Sequence, residues 1–394
     1  MILVVNPGSS SIKFQLFETQ NTTPISILEG LAERIGIDGN LVMKFQGQKY
    51  EWKINMPDHL AAVGEINNRM LELQVIKNKA DITGIGFRTV HGGDKFIQPT
   101  IINEEVKKVI EANFKLAPLH NPPGLVAINA FEKEFKIPMV AVFDTSFHQT
   151  LAPLNYLYPV PYNWYTDHKV RKYGFHGISY EYITTHMSQV LKIDQNKLNL
   201  IICHLGNGAS MAAIKNGKSL DTSMGFTPLA GLMMGTRSGD IDPSIVQYMV
   251  KETGMDVFQI TDALNKQSGL FGMSGLSDMR DVTDAVRAGN EQVTLTWKKY
   301  CQVVDRYLVD YANQLEGKID AIVFTAGVGE NSKSTRAEII ANAKLLELEL
   351  DQNANHAKYN DYNLISTPKS KYPIYCVRTN EELMICNHTL KLIK

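Results

Sequence analysis

The sequence predicts an α/β protein built from two duplicated domains, and three observations carry that prediction. Five apolar runs each stop on a polar residue suited to phosphate or carboxylate chemistry: ILVV at Asn6, ITGIGF at Arg88, MVAVF at Asp144, LIIC at His204 and AIVF at Thr325. Short apolar runs bounded by turn residues read as buried strands. In open α/β sheets ligands gather beyond the carboxyl ends of the strands, so residues far apart in sequence converge on one crevice. One strand ending in a polar turn is ordinary, but five with this choice of residues predict a site. A strand–turn–strand pattern near the start also returns about two hundred residues later. Finally, at 394 residues the chain exceeds the size at which one hydrophobic core keeps growing.

The first element, ILVVNPGSSSIKFQLF, is a strand, a small-residue turn and a second strand in which Ile12, Phe14 and Leu16 alternate with Lys13 and Gln15. Residues 101–115 and 122–136 have helical periodicity, and Pro138 leads into the strand that ends at Asp144. The pattern returns in NLIICHLGNGASMAAIKNG, after which the Asn216-Gly217 hairpin signal introduces a third strand, KSLDTS. Helices follow around 243–253, 256–266 and 291–315. The tail is a strand, YPIYCVRT, and an amphipathic helix with Leu383, Met384, Leu390 and Ile393 on its apolar side. Thr379 and Glu382 have capping-box spacing, which would occupy Glu382 at the helix start and leave Glu381 facing the crevice. A helix this apolar needs a docking face. We expect it on the first domain, giving domains of 1–147 plus 383–394, and 148–382.

Composition removes several function classes. Lys plus Arg is 40 and Asp plus Glu is 41, with no basic run, so nothing marks a nucleic-acid or anionic-membrane partner. Cys203, Cys301, Cys376 and Cys386 are widely spaced without a CxxC pair, which reads as reduced, buried thiols of a cytoplasmic protein. The N-terminus enters a strand without a basic region or cleavage site, and no 18-residue apolar stretch occurs, so we expect a soluble, unexported chain.

Three small-residue turns are candidate phosphate cradles: Asn6-Pro7-Gly8-Ser9-Ser10-Ser11, Gly206-Asn207-Gly208-Ala209-Ser210 and Ala326-Gly327-Val328-Gly329-Glu330-Asn331. Small residues let successive backbone N–H groups approach phosphate oxygens. Two familiar motifs are absent. Gly217-Lys218-Ser219 resembles the end of a P-loop, but Ala212 occupies the upstream glycine position and the context is a hairpin. Gly327-Val328-Gly329 has Asn331 where a dinucleotide fingerprint needs a third glycine, and no acidic ribose partner follows, which disfavours a dinucleotide oxidoreductase.

The longer motifs are specific. VVNPGSSSIKFQLF, FRTVHGGD, LAPLHNPPGL, VAVFDTSFH, RKYGFHGISY, ICHLGNGAS, TPLAGLMMGTRSGDIDP, FTAGVGENS and TNEEL occur in this order over nearly the whole chain. In these motifs the chain resembles the acetate kinase family, whose members convert acetate and ATP into acetyl phosphate and ADP. The resemblance implies two ribonuclease-H-like domains of the sugar-kinase, chaperone and actin superfamily, an active-site cleft between domains that close on substrate, and a homodimer.

It also implies roles for residues. Arg88 and Arg237 would hold the carboxylate and the phosphoryl group in flight, chemistry that suits a permanently charged planar donor fork better than lysine. His176 would donate to the phosphoryl group in the transition state, with His204 nearer the nucleotide phosphates and His120 nearer the carboxylate. Asn6 and Glu381 match positions that bind Mg2+ or Mn2+. Asp144, close to them, would orient the attacking carboxylate; acetate is already ionised near neutral pH, so no proton need be abstracted. A magnesium site of this kind needs only one or two carboxylates besides nucleotide oxygens and water. Lys13, His204, Leu205, Gly206, Asn207, Gly208, Ala326, Gly327, Val328, Gly329 and Asn331 would bind ATP or ADP. Val90, Leu119, Phe175 and Pro228 would surround the substrate methyl group. A propionate or butyrate kinase fits the same scaffold, because one methylene in an apolar pocket discriminates by only about 1–3 kcal/mol. A noncatalytic nucleotide switch shares the superfamily fold, but it has no use for the carboxylate-binding set.

Overall fold

The computed structural model describes residues 1–21, 23–118 and 120–394. Its contacts divide the chain into two units, Met1–Gln149 with Asn380–Lys394, and Thr150–Thr379. The crossings differ from the expected 147/148 and 382/383, and the later one matters: Glu381 and Glu382 belong with the first unit.

The first unit is built on a mixed sheet of β1 (Ile2–Pro7), β2 (Ser11–Glu18), β3 (Ile25–Glu33), β4 (Asn40–Phe45), β5 (Gln48–Lys53), β6 (Gly84–Thr89), β7 (Thr100–Ile101) and β8 (Met139–Phe143). Its order is β5-β4-β3-β2-β1-β6-β8-β7. β1 pairs antiparallel with β2 and parallel with β6, which pairs parallel with β8. Central β1 is buried on both faces, which explains its unbroken Ile2-Leu3-Val4-Val5 run. On one face Leu3, Val5, Ile85 and Phe87 share a core with Ala62, Ile66 and Met70 of helix His59–Glu72 and with Ile128 and Phe131 of helix Asn121–Glu134.

The opposite face receives the C-terminal helix, Glu381–Ile393. A Cβ at Gly84 would lie 2.6 Å from Ile393 Cδ1, and one at Gly86 would lie 2.3 Å from Thr389 Oγ1 and 2.6 Å from Ile385 Cγ2. Glycine at both positions lets helix and sheet meet closely. The buried residues are Met384, Ile385, Cys386 and Thr389, whereas Leu383 and Leu390, expected on the apolar side, are half-buried. The cap also differs from the expected box. Asn380 is the N-cap and accepts from the Leu383 N–H, which leaves Glu382 to pair with Lys13. Asn and Asp cap at least as well as Thr, and the Thr379 hydroxyl bonds Ser179 instead.

The second unit repeats the plan. Its strands are β9 (Leu200–Leu205), β10 (Ala209–Lys215), β11 (Lys218–Thr222), β12 (Ala321–Thr325), β13 (Tyr362–Leu364) and β14 (Ile374–Val377), in the order β11-β10-β9-β12-β14-β13. The segment β11-β10-β9-β12-β14 has the connectivity and pairing sense of β3-β2-β1-β6-β8, as the duplicated sequence pattern predicts. Asn216 and Gly217 both take positive φ at the β10–β11 turn, 52° and 71°, the geometry that a two-residue hairpin demands. The other expected helices form as Glu104–Ala112, Ser244–Thr253, Val257–Lys266 and Glu291–Gln314. All four cysteines are buried free thiols. No helix among the described residues is long and apolar enough to cross a membrane.

Candidate active site

In the first unit the sheet brings two predicted charges together at strand ends. Arg88 is the penultimate residue of β6, and Asp144 directly follows β8, its parallel neighbour. The guanidinium grips the carboxylate in a bidentate pair, Nη2 to Oδ2 at 2.5 Å and Nε to Oδ1 at 3.2 Å. Glu381, the first residue of the C-terminal helix, places Oε2 3.6 Å from the same Nε. Asp144 is 2% exposed, Arg88 22% and Glu381 19%. Burial opposes the charge on Arg88, but Asp144 and Glu381 outweigh it and hold the guanidinium protonated. Burial and the neighbouring carboxylates of Asp144 and Glu382 push Glu381 up to about 7 against the attraction of Arg88. Two carboxylates thus face one cation.

Around this cluster Asn6 lies near the end of β1, opposite Lys13 on β2. Lys13 Nζ pairs with Glu382 Oε1 at 2.5 Å. The Gly8–Ser11 turn is tied by the Gly8 N–H donating to the Ser11 carbonyl at 2.7 Å, and His59 Nε2 lies 3.0 Å from the Gly8 carbonyl. Val90, buried, leaves β6 two residues after Arg88. His120 is the N-cap of helix Asn121–Glu134. Leu119, expected in the methyl pocket, lies outside the described residues.

In the second unit His176 sits with φ of 58° immediately before helix Gly177–Leu191. A left-handed backbone at a non-glycine residue costs about 1–2 kcal/mol, and such strain tends to collect at functional sites. The His176 ring stacks on His204, with centroids 4.2 Å apart. Its Nδ1 lies 2.8 Å from Ser210 Oγ, which is 2.5 Å from the Tyr180 hydroxyl. His204, near the end of β9, has Nδ1 2.9 Å from Ser179 Oγ. Ser210 lies in one predicted phosphate cradle and Ser179 and Tyr180 in the RKYGFHGISY motif, but their hydrogen bonds to the two histidines and to each other form only where helix and sheet meet.

Arg237 belongs to the glycine-rich 228–240 segment. Its Nη1 donates to the Pro228 carbonyl at 3.3 Å. It has no ion pair among the described residues, and burial lowers its pKa from the ordinary guanidinium value. A Cβ at Gly208 would sit 3.5 Å from Arg237 Nη1 and 3.8 Å from His176 Nε2. The glycine of the GNG turn therefore leaves room where a cation and an imidazole meet. Gly235 lets Asn207 approach so closely that a Cβ there would lie 1.9 Å from Asn207 Oδ1.

Beside this turn opens a cavity of about 950 Å3. Gly206, Asn207, Gly327, Val328 and Asn331 of the expected nucleotide set line it. Leu205, Ala326 and Gly329 are buried instead, and Lys13 belongs to the other unit. The 326–331 segment is a short helix, Ala326–Asn331, rather than an open loop, and it starts with Ala326 at φ 64°. Phe175 is buried in this unit, next to His176. The cavity wall also includes Asp278, Met279 and Arg280, which the sequence reading missed. The available signal was Asp278 as N-cap ahead of the amphipathic helix Met279–Arg287.

Each of the two sets, within its own unit, can neutralise and orient anions. Among the described residues no group of three or more His, Cys, Asp or Glu side chains forms a metal cage; the oxygen donors near Arg88 fit a cation that keeps water and substrate oxygens.

Comparison with known proteins agrees with this chemistry. Residues 1–387 match the family model described as the Acetokinase family. The chain is 56% identical over 396 residues to a protein named acetate kinase from Mycoplasma mycoides subsp. mycoides SC, covering 100% of both. Its structure matches that of Porphyromonas gingivalis acetate kinase with a TM-score of 0.94 and 39% identity, over 100% of this chain and 99% of that one. It also matches a propionate kinase from Francisella tularensis subsp. tularensis SCHU S4, with a TM-score of 0.93, 39% identity and 99% coverage of both chains.

Proposed function

This chain belongs to the acetokinase family, and from that premise we propose that it transfers the γ-phosphoryl group of ATP reversibly and directly to acetate, with Arg88, Asp144, His176 and Arg237 as its catalytic residues. It is a kinase with a carboxylate acceptor, using ATP or ADP and a divalent metal. The observation with most weight for the site is Arg237: a half-buried guanidinium without a carboxylate partner among the described residues, beside Gly208 and His176, is suited to an anionic group that arrives with substrate.

Phosphoryl transfer asks mainly for positioning and charge neutralisation. Arg88 binds the acetate carboxylate, and Asp144 fixes the Arg88 fork, leaving the acetate oxygen as nucleophile without a base. Arg237 and His176 donate to the equatorial oxygens, contacts that strengthen as charge spreads in the transition state. The loops at 206–208 and 326–331 hold the nucleotide, with His204 behind them, and Lys13 completes its binding. Val90, Phe175 and Pro228 enclose the methyl group, with His120 beside the carboxylate. Asn6 and Glu381 hold Mg2+, for which Mn2+ can substitute; the surplus carboxylate charge against Arg88 fits a divalent ion. When bound, the metal would offset the charge of the nucleotide phosphates.

We further propose a homodimer, supported by exposed Tyr248, Phe258 and Phe271 in the second unit, and a cytoplasmic location, where ATP is supplied. A propionate preference is the second reading, because a propionate kinase shares the fold as closely as an acetate kinase does. The test is ADP release from MgATP with formate, acetate, propionate and butyrate, with hydroxylamine trapping of the acyl phosphate. Acetate should give the largest specificity constant. A larger constant for propionate would install the second reading, and no hydroxamate from any acid would remove both.

A further inference from the structure

Arg336 is among the largest fully buried side chains of the molecule, 2% exposed, yet it has no ion pair among the described residues. Taking a guanidinium out of water costs several kcal/mol unless its donors are all matched. Here four of the five N–H donors meet neutral oxygens. Nη1 donates to the carbonyls of Gly329 at 2.8 Å and Glu330 at 3.0 Å, Nε to Asn355 Oδ1 at 2.8 Å, and Nη2 to the Asn355 carbonyl at 2.9 Å. Asn355, 1% exposed, in turn donates from Nδ2 to the Lys333 carbonyl at 3.1 Å.

The two carbonyls belong to helix Ala326–Asn331, whose last turn has no further helical N–H groups to satisfy them. Gly327, Val328 and Asn331 of that helix line the 950 Å3 cavity, as do Lys333 and His356, neighbours of Arg336 and Asn355 on the far side of the clamp. Lys333 Nζ also donates to the His356 carbonyl at 2.9 Å. One buried side chain therefore joins two walls of the cavity from behind without reaching into it. A planar fork can span these acceptors; a lysine ammonium cannot. Aliphatic packing would satisfy the fold at lower electrostatic cost, so the clamp is better explained by what it holds in place.

We propose that Arg336, with Asn355, is a positioning residue for the nucleotide, fixing the Ala326–Asn331 helix so that its cavity-lining residues meet the phosphates. The inference rests on the reading that this cavity receives ATP. In the full-length protein, Arg336→Lys keeps the charge but loses the fork, and Asn355→Ala removes the fork's partner. Small displacements of positioning groups cost about tenfold to a hundredfold. Arg336→Lys should raise the KM for ATP, and the Kd for MgADP by calorimetry, about tenfold, with Asn355→Ala smaller in the same direction. The KM for acetate and the kcat at saturating ATP should stay within about twofold, which a general loss of structure would not allow. Asn331→Ala, on the cavity wall, is the control. If it leaves MgADP affinity unchanged, the cavity is not the nucleotide site. If it weakens MgADP binding while both clamp variants bind normally, or if the clamp variants lose acetate and ATP affinity alike, the positioning role is overturned. Should Arg336→Lys fail to fold, Asn355→Ala decides.

Discussion

His176 keeps its Nδ1 2.8 Å from the Ser210 hydroxyl, which lies 2.5 Å from the hydroxyl of Tyr180. Burial pushes the Tyr180 phenol well above its ordinary pKa, so it keeps its proton. A serine hydroxyl has one proton to give. With Tyr180 donating to Ser210 and Ser210 to Nδ1, the imidazole proton resides on Nε2, the atom nearer Gly208. Nitrogen-15 shifts of His176 should therefore report protonated Nε2, and Ser210→Ala should lower kcat about tenfold with the KM for ATP nearly unchanged. A protonated Nδ1, or a loss confined to ATP affinity, contradicts this arrangement.

Arg88→Lys and Arg237→Lys keep charge and lose the planar fork. In Arg88 the fork spans both Asp144 oxygens, and in Arg237 no carboxylate competes for it among the described residues. Each change should reduce kcat/KM for acetate by a hundredfold or more, on the order of 3 kcal/mol of transition-state stabilisation, with little change in Tm. Rates near wild type in both variants would remove the two arginines from catalysis.

The strands that carry the site were legible because each combines an apolar run with a sharp polar stop, as at Arg88 and Asp144. Their neighbour relationship was not legible, since β6 and β8 pair across some fifty residues of intervening chain. Thr325 shows the limit of the strand-end signal: it is fully buried beside His204 rather than presented to a ligand. The C-terminal helix was legible as apolar, but its docking face was set by Gly84 and Gly86, whose missing side chains leave no hydrophobic pattern to read. The Thr379–Glu382 capping spacing misled because Asn380, one residue on, caps equally well and frees Glu382 for Lys13. Asp278 and Arg280 join the cavity through tertiary folding of a segment with no phosphate-loop composition.

Glu381 gives metal-free protein a pH-dependent cost. Its carboxyl is raised from 4.5 to about 7, chiefly by burial. The folded state thus retains a proton that the unfolded chain releases, so this contribution to stability is complete below about pH 4.5 and is lost as pH rises toward about 7. In metal-free buffer, Glu381→Gln should become more stable relative to wild type across this interval, and its advantage should level off above it. Mg2+ should bind wild type with proton release below pH 7 and should no longer do so in the variant. Parallel denaturation midpoints for the two proteins across this range would show that Glu381 titrates normally.

Gly86 links the stability of the first unit to the position of Glu381. A methyl group there would sit 2.3 Å from Thr389 Oγ1, 2.6 Å from Ile385 Cγ2 and 3.4 Å from the Ile385 carbonyl. The 3.4 Å approach is an ordinary contact, but the two closer ones meet β-branched side chains whose χ1 is restricted in a helix, so relief of the crowding shifts the helix. Overpacking of this kind costs about 1–3 kcal/mol. Because Glu381 is the first residue of the same helix, movement should also alter its approach to Arg88 Nε, now 3.6 Å. Gly86→Ala should therefore lower the denaturation midpoint and raise the magnesium requirement together. Thr389→Ala, which removes the nearer of the two close contacts, should recover part of both losses in the Gly86→Ala background. Gly64→Ala is the matched control: it lies in helix His59–Glu72 with nothing within 4 Å of its Cβ position. There alanine should stabilise by up to about 1 kcal/mol through helix propensity, with magnesium dependence unchanged. If Gly86→Ala behaves like Gly64→Ala, the helix is not seated on β6 as described.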